Sequence, residues 1–149
     1  MTSDFKELEE LVMEDMRRVY SEQVIDHFQN PRNLGEIPDA DGVGRVTGSC
    51  GDTMEIYLRV RGDRIIDANF WTDGCGTSIV SGSMTTELAK GKSIAEARSI
   101  TKDVILNSLG GLPEESEHCA LLAADTLREA VRDYMALKKE PWKKGYRKF

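Results

Sequence analysis

A chain of 149 residues with 40% hydrophobic and 31% charged side chains can bury one core, and no apolar run approaches the roughly 20 residues of a membrane-spanning helix. A net charge of −6 argues against a nucleic-acid partner, and the acidic, amphipathic start lacks the basic and apolar segments of a secretion signal, so a cytoplasmic protein is expected. Three cysteines make a poor disulfide framework but suit buried thiols, one reactive thiol, or a metal site completed by another kind of ligand.

In chain order, Phe5, Leu8, Val12, Met16 and Val19 recur at helical spacing and predict an amphipathic helix over 4–19. Residues 21–29 predict a second helix, stopped at Asn30-Pro31 because the residue before proline avoids the α region, with His27 on its exposed side. Two turn-rich stretches follow, PRNLG (31–35) and PDADG (38–42). Strands are expected over 44–49, 52–60 and 64–71, the last two joined by the short connection RGDR. In the second strand Met54, Ile56, Leu58 and Val60 alternate with Glu55, Tyr57 and Arg59, the pattern of a half-buried antiparallel strand; in the third, Ile66, Ala68 and Phe70 should share a face. Helical segments then run over 77–90, over 93–99 from a serine cap, and over 101–109 up to a Gly-Gly pair. Leu121, Ala124, Leu127, Val131 and Tyr134 mark a long final helix. Strands followed by helices imply an α+β domain, a small three-stranded antiparallel sheet covered on one face by helices.

Charge is unevenly spread. Residues 1–18 carry six acidic side chains against three basic ones, whereas 138–149 carry six Lys or Arg against Glu140 alone, with Trp142, Tyr146 and Phe149 among them. The tail reads as a solvated end after Pro141 or as a segment that docks on an acidic partner.

All three cysteines fall at element ends: Cys50 between the first two strands, Cys75 between the third strand and the first core helix, and Cys119 at the start of the last helix. Free backbone N–H groups at such ends favour thiolate, the form that ligates metals and attacks sulfur. Glycines flank two of them, in GSCG (48–51) and GCG (74–76), where small neighbours admit a bulky inorganic ligand. Asp52, two residues beyond Cys50, can reach the same ion if the chain is extended there. With His118 next to Cys119, three thiols, one imidazole and one carboxylate can supply the four ligands of tetrahedral Zn²⁺ or of a [2Fe–2S] cluster. A Cys–His hydrolase is the competing chemistry; adjacent side chains at a helix start usually point apart, and no orienting Asn or Asp can be assigned.

These motifs, in this order, resemble the IscU/NifU-type iron–sulfur cluster assembly scaffolds. The likeness runs from YSEQVIDHFQNPRNLG (20–35) through GSCGD (48–52), DGCGTSIVSGSM (73–84) and TELAKGK (86–92) to EHCALLAADTLREAVRDY (117–134). It implies an IscU/SufE-like fold over 20–137, with 1–19 as an N-terminal extension and 138–149 as a basic aromatic tail. It also implies a non-enzymatic scaffold on which a transient [2Fe–2S] cluster is built and then passed to recipient apo-proteins. A cysteine desulfurase of the IscS/NifS type would deliver sulfur as persulfide, with iron and electron donors as further partners. By the same resemblance Cys50, Cys75 and Cys119 are thiol ligands, Cys119 is the persulfide acceptor, and Asp52 and His118 are exchangeable ligands, Asp52 keeping the cluster labile. Zn²⁺ can occupy the same site, and the compact interval between Cys75 and Cys119 lacks the insertion of SufU-type relatives, which relay sulfur with zinc.

One departure concerns the segment before His118. The family usually reads LPPVK there, the stretch a DnaK-type chaperone grips, whereas this chain reads LPEES (112–116). Acidic and polar side chains at those positions weaken such binding, so no dedicated chaperone is expected. An exposed site also leaves room for ligands from a neighbouring protomer, and with it a homo-oligomer.

Overall fold

The computed structural model describes residues 2–146, with side chains from Asp4 onward; the last three residues of the basic tail lie outside the described residues. Six helices and three strands follow one another as α1 (Thr2–Val19), α2 (Glu22–Gln29), β1 (Gly42–Thr47), β2 (Thr53–Arg61), β3 (Arg64–Thr72), α3 (Gly76–Ala89), α4 (Ile94–Ala97), α5 (Lys102–Leu109) and α6 (Glu117–Lys139). Short 3-10 turns occupy Glu114–Ser116 and Pro141–Tyr146. The strands form an antiparallel meander in the order β1-β2-β3, and the helices pack on one face of it, as the α+β reading expects.

Local chemistry sets the helix ends. Ser21 and Thr101 accept from the backbone N–H groups of Val24 and Val104, Ser93 and Glu96 form a reciprocal capping box, and α5 ends on Gly110 in the left-handed region. Alternation along β2 is as read: Met54, Ile56 and Leu58 are fully buried under α3 and α6. Tyr57 looks the other way, into a small apolar cluster with Ile37, Ala40 and Val43.

Three differences from the sequence reading have physical causes. First, β1 begins at Gly42, two residues before the expected start. Its Gly42 and Gly44 pair with Leu58 and Ile56 inside the ladder. A Cβ on Gly44 would lie 2.3 Å from the Thr126 carbonyl oxygen and 2.5 Å from the Ala130 nitrogen, so these glycines exist to let α6 lie directly on the strand. Second, the register slips between Arg59 and Val60: Arg59 pairs with Asp67 but Val60 pairs with Ile65. Ile66 is the extra residue of that bulge and faces solvent, while Ile65 takes the inward position expected for it.

Third, His27 is buried. Its Nδ1 lies 2.6 Å from the Ser83 hydroxyl of α3, and burial, aided by the nearby Arg32 charge, pushes its pKa below the ordinary histidine value. At the other end of the chain, the 3-10 turn after Pro141 folds back, and Lys144 pairs with Asp39 at 2.9 Å, so this part of the tail is tethered.

Candidate metal and sulfur site

The seating of α6 on β1 determines where Cys119 goes. Gly42 meets α6 at Ala130 and Tyr134, Gly44 at Thr126 and Ala130, and Gly48 at Leu122, so the helix runs antiparallel to the strand. Its N-terminus therefore arrives at the β1–β2 turn. In that turn Thr47 and Thr53 are paired, with their hydroxyls 2.8 Å apart. Gly48 N–H donates to the Asp52 carbonyl at 2.8 Å and Gly51 N–H to the Gly48 carbonyl at 3.0 Å, which leaves Cys50 exposed at the tip.

β3 ends beside the same turn. Thr53 N–H donates to Asp73 Oδ1 at 2.7 Å, and the Thr72 hydroxyl donates to the Thr53 carbonyl at 2.8 Å. The β3–α3 connection is thereby fastened to the start of β2, and Cys75 stands at the N-cap of α3. A Cβ on Gly74 would lie 2.5 Å from the Ser78 hydroxyl and 2.9 Å from Asp52 Oδ2; only glycine leaves space for that approach.

Two hydroxyls on the first turn of α3 join the functional side chains. Thr77 Oγ1 lies 3.1 Å from Cys75 Sγ and 3.3 Å from Cys119 Sγ. Ser78 Oγ lies 3.4 Å from both Cys119 Sγ and Asp52 Oδ2. His118 is exposed and folds back so that its Nε2 sits 3.6 Å from Cys119 Sγ; the two side chains meet instead of pointing apart. Four of the five expected side chains are thus linked, and Cys50 stands on the adjoining turn with no hydrogen bond to them among the described residues. Also among the described residues, no three His, Cys, Asp or Glu side chains are drawn close enough to hold a metal ion.

The thiols differ in character. Cys75 is exposed, and the Thr77 hydroxyl, with the Ser78 and Thr77 N–H groups, holds its pKa below the ordinary thiol value. Cys119 is fully buried, and burial pushes its pKa up against the opposing hydrogen bonds from Ser78 and Thr77. A buried, protonation-favouring thiol is the reverse of an activated hydrolase nucleophile. Thr77 and Ser78 were not singled out from the sequence. Their only signal was position, two and three residues after Cys75 at a helix start, where side chains reach back over the turn before it.

The family model described as NifU-like N terminal domain matches residues 19–141. The chain belongs to this family. The iron-sulfur cluster assembly scaffold protein IscU 1 of Archaeoglobus fulgidus is 56% identical over 117 residues, covering 78% of this chain and 76% of that protein. The scaffold protein IscU of Escherichia coli K12 is 45% identical over 120 residues, or 77% of this chain and 93% of that one. Among solved structures, the N-terminal NifU-like protein of Brucella abortus superposes with a TM-score of 0.64 over 79% of this chain and 95% of that chain; at 20% identity it speaks to the fold. A putative cluster assembly scaffold for the SUF system from Fervidobacterium islandicum AW-1 matches at 27% identity and a TM-score of 0.60, over 75% of this chain and 96% of that chain. The match from 19 to 141 takes in all five candidate side chains, so the open, sulfur-lined end lies within the NifU-like domain.

Proposed function

We propose that this protein is a scaffold on which a [2Fe–2S] cluster is assembled and from which it is transferred. What supports this reading is the meeting of three separate turns at one end of the sheet in a NifU-like domain, with Asp52, Cys75, His118 and Cys119 linked there and Cys50 on the adjoining turn. Iron and sulfide are cargo here, and the chain supplies ligands and timing.

In the sulfur step, Cys119 is first uncovered and gives up its proton to solvent, and its thiolate then attacks the outer sulfur of a desulfurase persulfide. A new S–S bond forms at Cys119, the old one breaks, and the desulfurase cysteine leaves as thiolate. The two electrons that each persulfide sulfur needs to become sulfide come from ferrous iron and an external electron donor. Since Cys119 is buried, the partner must first displace the side chains that cover it, His118 at 3.6 Å among its neighbours. A complete cluster would take the three thiolates and either Asp52 or His118; an oxygen or nitrogen at that corner exchanges more readily than a fourth thiolate. Recipient apo-proteins would then draw the cluster away.

Anaerobic incubation with ferrous iron, cysteine and a cysteine desulfurase should produce the visible chromophore of a [2Fe–2S] cluster. Its absence with zinc-free, reduced thiols overturns the proposal. Asp52→Ala should lengthen the life of the bound cluster, and a faster loss would remove Asp52 from the labile corner.

A zinc-dependent sulfur relay is the second reading, favoured by the N, O and S donors around Cys119, a set that suits tetrahedral Zn²⁺. Zinc-loaded protein that strongly stimulates the desulfurase while forming no cluster would select it. In either case the protein should stay largely folded when a chelator is added, because the core from Val24 to Val131 is apolar.

A further inference from the structure

The outer face of α1 is apolar and uncovered. Phe5, Leu8, Val12 and Val19 are 71%, 57%, 50% and 58% exposed and fall on one side of the helix. By the 100° step of the helix, Glu9 borders this stripe on one edge, while on the other Asp4 and Asp15 stand between it and Leu11, itself 59% exposed. Away from the stripe, Met13 meets Gln29 of α2 at 3.4 Å. An amphipathic helix held along one side, with an aromatic and three aliphatic side chains in water, is built to meet something else.

A complementary surface lies on the far half of α6. A groove of about 590 Å³ runs between that helix, the end of α4 and the turn after Pro141. Its floor is Val131 and Met135, and its walls carry Arg98, Arg128, Arg132 and Lys139, with Lys143 at the end. Arg128 pairs with Asp125 at 3.9 Å and Arg132 with Glu129 at 3.3 Å, while Lys143 meets Glu140; these are exposed contacts three residues apart that exchange partners at little cost. Arg98 rests on Met135 Sδ. An apolar floor between basic walls is the counterpart of an apolar stripe between acidic edges.

We propose that α1 of one copy of this protein seats in the α4–α6 groove of a second copy, and reciprocally, to form a two-fold dimer. Length agrees: Leu8 to Val19 and Arg128 to Lys139 are twelve residues each, eleven helical steps or about 17 Å at 1.5 Å per step. Charge decides the occupant. Pairing two α1 helices would oppose two segments that each carry six acidic side chains against three basic ones, whereas the groove presents five cations against Glu140. A reciprocal exchange satisfies the self-complementarity that two-fold interfaces require. Arg128, Met135 and Lys139 lie on the opposite side of α6 from Cys119, so both sulfur sites stay open in the dimer. Dimerisation through these surfaces does not depend on what those sites carry.

Charge reversal tests it by sedimentation velocity over low to high micromolar concentrations. One variant reverses the helix (Asp4→Lys, Glu9→Lys, Asp15→Lys) and another the groove (Arg128→Glu, Arg132→Glu, Lys139→Glu). All six positions lie outside the apolar core, and unchanged thermal unfolding confirms that each variant folds. The wild type should dimerise, more weakly as salt rises, and each variant alone should dissociate about tenfold or more readily. Mixing the two variants should restore a heterodimer, because each reversed surface then faces its complement. A wild type that stays monomeric overturns the proposal, and so does dimerisation that both reversals leave intact. Restoration only when all six changes share one chain, with a monomeric product, overturns it in favour of α1 docking on its own groove.

Discussion

Cys75 and Cys119 sit at the starts of two helices, touch the same Thr77 hydroxyl, and nevertheless differ as thiols. At the β3–α3 turn the sulfur is exposed and its pKa is held down by hydrogen bonds from Thr77 and Ser78. At the start of α6 the sulfur is covered, and desolvation outweighs the same kind of hydrogen bond. Position at a helix N-terminus therefore does not determine a thiol's character; the depth at which packing places it does. That depth comes from the seating of α6 on the glycines of β1, far from either sulfur.

The strongest way to break the contrast is to lift α6. Gly44→Val places a side chain against backbone of Thr126 and Ala130 that cannot step aside, an overpacking that should cost about 3 kcal/mol or more. Thermal unfolding should drop by roughly 5–10 °C, and Cys119 should become open to alkylation. An unchanged transition would mean that the close approach of helix and strand is not needed.

Alkylation of the native, metal-free protein measures the contrast directly. Peptide mapping should find Cys50 and Cys75 modified about tenfold or more faster than Cys119. Equal rates would show that Cys119 is not covered in solution. A smaller effect comes from Thr77→Val, which keeps the shape and removes the hydroxyl. The alkylation midpoint of Cys75 should move to higher pH, with its rate near neutrality falling a few fold, while Cys119, already dominated by burial, changes less.

The smallest expected effect is a pH dependence at α2, whose Phe28 ring fills the space beside Gly76 just after Cys75. Because the folded His27 has a pKa below the 6.5 of the unfolded chain, the unfolded state binds more protons as pH falls. The penalty is absent above about pH 6.5 and grows as the solution is acidified through that value. Urea midpoints at pH 7.5 and 5.5 should show the loss, and His27→Gln should flatten it. A dependence that survives the substitution would assign the effect elsewhere.

Much of this frame is legible in the sequence where a pattern is local. The β2 alternation, the Ser93 cap and the glycine after α5 each follow from a few neighbouring residues. Asp52, Cys75, His118 and Cys119, which lie at element ends, are linked at one end of the domain, with Cys50 on the adjoining turn. Legibility fails where the cause is a distant partner. Gly42 looks like the end of a turn because the reason for its bare backbone, α6, lies some ninety residues further along. Ile66 and His27 are misread alike: a bulge shifts one out of phase, and a serine on α3 draws the other inward. Thr77 and Ser78 carry no recognisable signature, since any helix start can hold a hydroxyl.

The Thr77 hydroxyl owns a single hydrogen, and two sulfurs lie within its reach. It can therefore stabilise one negative sulfur at a time, and while it does so the second is better left with its own proton. Through this one hydroxyl the protonation of each thiol bears on that of the other.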